Sequence, residues 1–190
     1  MKKLIATIVF SASILLANAQ DVKQTFYANG AKESEGVLLC NDPRIFNKDF
    51  ASLSKLEQDR ISANSVKDGE WKYWFDNGQL RIVEYFNKGK KIKGCKTFYQ
   101  SGKLESNLNF EGKTSFTYHE NGQIETEGMF KEADLPDGIW KGYFENGKLN
   151  FESNYVNGTQ HGITKWYDAN GKLYMEQDYN NGQIIKENKY

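Results

Sequence analysis

One short phrase returns along the chain and restricts its folding more than any other feature: an aromatic residue, then Asn-Gly, then Leu or Ile. It reads Trp74-Phe75-Asp76-Asn77-Gly78-Gln79-Leu80, Tyr143-Phe144-Glu145-Asn146-Gly147-Lys148-Leu149 and Tyr167-Asp168-Ala169-Asn170-Gly171-Lys172-Leu173. Looser copies are Phe98-Tyr99-Gln100-Ser101-Gly102-Lys103-Leu104, Tyr118-His119-Glu120-Asn121-Gly122-Gln123-Ile124 and Phe26-Tyr27-Ala28-Asn29-Gly30. From Gly78 onward the phrase glycines lie 24, 20, 25 and 24 residues apart. A period of that size predicts stacked supersecondary units, each too small to bury its apolar side without its neighbours.

Counting each phrase glycine (Gly30, Gly78, Gly102, Gly122, Gly147, Gly171) as zero, three columns stay apolar in the five later repeats. Position −4 carries Trp74, Phe98, Tyr118, Tyr143 and Tyr167; position +2 carries Leu80, Leu104, Ile124, Leu149 and Leu173. Position +8 carries Phe86, Phe110, Phe130, Tyr155 and Tyr179, and the three columns together are the expected core. Asn-Gly between β-rich runs signals a hairpin, because both residues accept the positive φ of a tight turn.

A three-residue loop ending in a left-handed Gly sets −4 opposite +2, ring against aliphatic. A two-residue loop would instead set −4 opposite Arg81, Glu105, Glu125, Asn150 and Tyr174, so the first register is expected. Second turns at Asn87-Lys88-Gly89, Asn157-Gly158 and Asn180-Asn181-Gly182 return the chain, and Pro136 falls in a connecting turn. Strands thus succeed one another without helices between them. The expected fold is all-β: an elongated single-layer antiparallel meander of repeated β-hairpins, with one short helical insertion.

Residues 1–19 have the form of a secretory signal peptide: Met1-Lys2-Lys3, an apolar run from Leu4 to Leu16, and a small-x-small site at Ala17-Asn18-Ala19. An exported protein is expected, periplasmic, outer-membrane-associated or secreted, with no transmembrane segment after signal removal. Residues 20–36 then form the first hairpin repeat, 37–68 an insertion, and 69–190 the repeat array. Within the insertion Asp42-Pro43 resembles a helix start, and Phe46, Phe50, Leu53 and Leu56 keep helical spacing up to Arg60; the other reading is a flexible excursion. Losing Lys2 and Lys3 with the signal leaves 23 basic against 25 acidic residues, a balance that does not favour a nucleic-acid partner. Cys40 and Cys95 either pair as a disulfide, which export permits, or remain two separate thiols.

No catalytic constellation accompanies the two histidines, His119 and His161, both placed near turns. Acidic residues before turns, Asp76, Glu120 and Glu145, are turn formers more readily than calcium ligands. Glu84, Glu127, Glu152 and Glu176 can gather on a sheet, but nothing distinguishes two of them as an acid and a base. No cofactor, no metal and no enzymatic activity are expected. Trp71, Tyr73, Trp140 and Trp166 belong to the other strand parity from the −4 column, so they are expected on the second face, either as a binding platform or as stiffening ladders.

The unit Gly69-Glu70-Trp71-Lys72-Tyr73-Trp74-Phe75-Asp76-Asn77-Gly78-Gln79-Leu80, closing with Tyr85-Phe86-Asn87-Lys88-Gly89, resembles the variant type of the MORN repeat. The run from Gly138 to Leu149, closing with Tyr155-Val156-Asn157-Gly158, has the same pattern. The resemblance implies stacked hairpins and, through bacterial relatives grouped as the YwqK-like antitoxin family, a protein-binding role. Ser101, Lys93, Lys113, Cys95 and Ser115 depart from the pattern in the middle repeats, where irregular structure is expected. The expectation is therefore a non-enzymatic exported scaffold for a protein partner of the bacterial cell envelope, with a glycan or cell-wall ligand as the alternative and a lipid surface third.

Overall fold

The computed structural model describes residues 20–40, 54–56, 65–131 and 135–190, without the side chains of Gln20, Asp21 and Cys40. The signal peptide falls on 1–19, outside the described residues, and so does the helix expected between Asp42 and Arg60 except at 54–56, where Lys55 and Leu56 have helical backbone. The Cys40–Cys95 pairing likewise involves a side chain outside the described set.

Two compact units divide the chain, residues 1–93 and 94–190. The first holds β1 (Gln20–Phe26), β2 (Lys32–Cys40), β3 (Ser65–Trp74) and β4 (Leu80–Asn87), each antiparallel to the next. Strand β5 (Lys90–Phe98) crosses the boundary and leads into β6 (Leu104–Asn109), β7 (Thr114–Tyr118), β8 (Ile124–Phe130), β9 (Pro136–Tyr143) and β10 (Leu149–Val156). Then come the two-residue β11 (Thr159–Gln160), which pairs only with β10, and β12 (Gly162–Tyr167), β13 (Leu173–Asn180) and β14 (Gln183–Lys189). Within each unit consecutive strands pair in an open antiparallel meander, as the hairpin repeats demand. Two boundaries differ from expectation. Strand structure enters both ends of the 37–68 insertion, because β2 continues to Cys40 and β3 begins at Ser65; and Pro136 opens β9, where a missing N–H costs no ladder bond.

Each hairpin built on the recurring phrase adopts the three-residue register. Phe26↔Lys32, Trp74↔Leu80, Phe98↔Leu104, Tyr118↔Ile124, Tyr143↔Leu149 and Tyr167↔Leu173 face one another. The loop closes through two bonds, for example Phe75 N–H to Gln79 O at 2.8 Å and Gly78 N–H to Phe75 O at 3.0 Å, with Gly78 at φ +84°. The second turns Lys88-Gly89, Asn157-Gly158 and Asn181-Gly182 carry positive φ at both residues, the two-residue type whose twist suits a hairpin. Gly69, Gly138 and Gly162 are left-handed nine residues before their phrase glycine; Lys93 and Lys113 hold the same conformation, at φ +62° and +50°. The middle repeats keep this left-handed position with two lysines in a region that favours glycine, and they are irregular as expected: Lys93 is followed by a second left-handed residue, Gly94 at φ +91°, and β6 and β7, of six and five residues, are joined by a turn through residues 110–113 instead of the two-residue type.

The faces differ from expectation, and a bulge is the reason. In the Gly78 hairpin Trp74 pairs with Leu80 but Tyr73 pairs with Ile82, so Arg81 has no opposite residue. The same residue, three after the glycine, is extra in every hairpin: Glu33, Glu105, Glu125, Asn150 and Tyr174. One extra residue reverses the alternation along the returning strand. Positions −4 and +2 therefore share one face, whereas +8 moves to the other and joins Trp71, Tyr73, Trp140 and Trp166. Lys67 shows this directly: its ammonium lies 4.8 Å from the Trp71 ring, 5.0 Å from Tyr73 and 5.0 Å from Phe86. Trp140 and Tyr155 likewise meet edge to face at 6.3 Å.

The expected core is consequently spread over two faces. Of the fifteen column residues only Phe86 and Phe130 are fully buried, the others being half-buried. The other buried side chains are Trp71, Leu39 and Val83, and Ser34, Ser153, Thr164 and Gln177, whose hydroxyls and amide are hydrogen-bonded.

Candidate functional site

The face carrying the tryptophans builds from one rule of size. The residue six after a phrase glycine lies beside the residue seven before the next one. Where the second is Trp, the first is Gly: a Cβ on Gly36 would stand 2.2 Å from the Trp71 ring, and one on Gly128 2.1 Å from the Trp140 ring. Each indole lies on bare backbone and donates its Nε1–H to the carbonyl just beyond that glycine, Val37 O at 3.0 Å and Met129 O at 2.8 Å. Elsewhere the same pair is Leu108 with Ser115, or Ser153 with Thr164, whose hydroxyls bond at 2.7 Å. The sequence carried this signal as Gly at +6 ahead of Trp at −7, a correlation visible only across neighbouring repeats.

The four aromatic candidates fall two to each unit, Trp71 and Tyr73 in the first and Trp140 and Trp166 in the second. Trp71 is 4% exposed, lies 6.3 Å from Tyr73 and has no ring face open to solvent. Tyr73 hydrogen-bonds to Lys67, and burial together with the Glu84 carboxylate pushes its hydroxyl pKa up to about 12. In the second unit Trp140 and Trp166 are half-buried; Trp166 packs on Phe151 at 5.4 Å, donates to Gln177 Oε1 at 3.1 Å, and Phe151 in turn lies over Gly142. These rings cover Ser153 and Thr164, each 1% exposed, so this face shields its own polar floor.

The opposite face of the second unit is open. A row of directly opposed residues runs Lys96, Asn107, Phe116, Glu127, Lys141, Glu152, Lys165, Glu176, Asn188, one per strand from β5 to β14 with β11 skipped. The carboxylates Glu127, Glu152 and Glu176 do gather, but a lysine separates each from the next, and Lys141 approaches Glu152 at 3.7 Å. Glu127 also accepts the Tyr143 hydroxyl at 2.6 Å; burial and this bond push that tyrosine up to about 12. Beside the row, Met129, Ile139 and Ile163 are 54%, 51% and 54% exposed. With Phe116, Glu127, Lys141 and Glu152, the first two line a shallow groove of about 360 Å³.

Hairpin is tied to hairpin along the turns. Tyr27 Oη donates to Trp74 O at 2.7 Å and Tyr99 Oη to Tyr118 O at 2.6 Å; His119 Nε2 takes the same place against Tyr143 O at 2.8 Å. The turn asparagines do two jobs. Oδ1 of Asn29, Asn121 and Asn146 caps its own loop, while Nδ2 donates to Asp76 O, Glu145 O or Ala169 O of the next hairpin. Where Ser101 lacks the amide, Lys103 reaches Glu120 O at 2.6 Å instead. His119 is thereby placed as a tie between hairpins, and His161 is an exposed residue whose backbone bonds to Asn154 O at 3.0 Å.

Among the described residues no helix is long and apolar enough to cross a membrane. No curated protein matches the chain. Four stretches, residues 67–88, 113–132, 136–157 and 160–181, match the MORN repeat variant. The hairpins at these stretches are similar to MORN variant repeats, which in general are modules of protein or membrane interaction.

Proposed function

We propose that this chain is a non-enzymatic, exported repeat scaffold of the cell envelope that binds a protein partner on the open face of its second unit. The observation that carries this reading is the row from Glu127 to Glu176 with Met129, Ile139 and Ile163 exposed beside it. Apolar side chains framed by both charge signs suit a folded protein surface of alternating charge. An anionic lipid surface would call for a cluster of one sign, whereas lysine and glutamate alternate here. Export is supported by the residues from Met1 to Ala19, and an immunity role against a protein toxin, implied by the antitoxin resemblance, would use the same face.

The test is cross-linking and capture from envelope extracts with the wild type and the Met129→Lys/Ile139→Lys double variant. A protein captured by the wild type and lost from the variant supports the reading. Capture that is equal in both, or none by either, overturns it. Affinity electrophoresis on peptidoglycan and common glycans checks the alternative: retardation abolished by Trp140→Ala would favour a sugar ligand on the tryptophan face.

A further inference from the structure

Three rings converge on one ammonium in the first unit. Lys67 Nζ stands 4.8 Å from the Trp71 ring and 5.0 Å from each of Tyr73 and Phe86, and it donates to Tyr73 Oη. Trp71 also lies against Gly36, where a Cβ would stand 2.2 Å from the indole. Glu84, with a side chain only 14% exposed, supplies a carboxylate next to Tyr73 and is paired with Lys91 at 2.6 Å. Aromatic faces around a cation, with an anion nearby, are the recognised means of holding an ammonium out of water.

The repeat does not require this box. In the Gly147 hairpin the counterpart of Lys67 is Pro136 and that of Tyr73 is Gly142, yet Trp140 still lies on Gly128 and meets Tyr155 at 6.3 Å. A cation is therefore no part of the ring-on-glycine device. Nor is Lys67 an easy occupant, since a primary ammonium has three N–H donors and the rings are poor acceptors. A quaternary ammonium has no N–H to satisfy, spreads its charge over methyl groups and fills a three-ring box more completely.

We propose that Trp71, Tyr73 and Phe86 form a binding site for a quaternary ammonium group, which Lys67 occupies in the free chain and from which such a ligand displaces it. Only a side-chain rotation is needed. The Lys67 backbone is held by its pairing with Leu38 and by the Gly89 N–H, which donates to its carbonyl at 2.8 Å. Free choline compounds and choline lipid headgroups share this chemistry.

Titration of the full chain with tetramethylammonium and choline, followed by tryptophan fluorescence against sodium chloride controls, tests the site. Saturable binding at least tenfold tighter in Lys67→Ala than in the wild type, and lost in Lys67→Ala/Phe86→Leu, is expected. In parallel the indole N–H resonance of Trp71 in the wild type should shift saturably, a readout that does not depend on any variant folding. Flotation with phosphatidylcholine and phosphatidylglycerol vesicles separates the two sources: retention on the first only indicates a lipid headgroup, and choline binding without retention a free ligand. No saturable response in the folded Lys67→Ala chain, or no shift of the wild-type resonance, overturns the proposal.

Discussion

Trp71 and Trp140 occupy the same place in their repeats and rest on the same support, yet one is closed over and the other half open. Both indoles lie on a glycine of the preceding strand and donate to the carbonyl beyond it. Over Trp71 close Lys67, Tyr73 and Phe86; beside Trp140 stands Tyr155, and Gly142 and Pro136 replace the other two. What the fold demands is the bare backbone beneath the ring. What lies above is free to change, and this is where one repeat can acquire a property its neighbour lacks.

Truncating the two indoles should separate them most. Trp71→Ala should cost about 3–5 kcal/mol in urea denaturation and Trp140→Ala about 1–2 kcal/mol, since a roofed ring leaves a cavity and a half-open one leaves less. Equal losses would mean that the roof contributes nothing. Next, Gly36→Ala should destabilise by about 3 kcal/mol and Gly128→Ala by about 1–2 kcal/mol, because Trp140 has room to swing aside. The exchange Gly128→Leu with Trp140→Ser, which copies Leu108 and Ser115, should recover most of what Gly128→Leu alone loses, a non-additivity read in a double-mutant cycle.

Two smaller effects sharpen the contrast further. Tyr73 and Tyr143 have folded pKa values raised from 10.0 to about 12, by burial first and then by Glu84 and Glu127 respectively. Between those pH values the native chain keeps protons that the unfolded chain releases, so stability is whole below pH 10 and falls as pH rises toward 12. The fall should be shallower in Tyr73→Phe and in Tyr143→Phe, measured by denaturant midpoints across that range. The smallest change expected is a gain: Lys113→Gly relieves a left-handed lysine and should stabilise by about 0.5–1 kcal/mol, whereas the glycine of the Trp140 repeat, Gly138, has nothing to relieve.

Hairpin register was legible in the sequence because its causes are local: Asn-Gly turns and a ring that meets an aliphatic two residues past the glycine. The assignment of faces was not legible. The extra residue of each bulge is Glu33, Arg81, Glu105, Glu125, Asn150 or Tyr174, and such different side chains give no compositional sign of their shared position. Without it, strand alternation placed the Phe86 series with Trp74 instead of Trp71. Burial of Trp71 was hidden for another reason, since its partner Gly36 belongs to a different repeat and reads as an ordinary strand glycine. Left-handed lysines at 93 and 113 defeat residue preference outright; their conformation is imposed by the pairing around them.

The surplus residue after each turn also decides how such a chain can change its length. Whole hairpins inserted or removed bring their own correction, so the strands that follow keep the same side chains pointing each way. Deleting Glu125 alone would exchange the two surfaces along the rest of its strand, turning Glu127 and Met129 toward the indoles and Phe130 out into water.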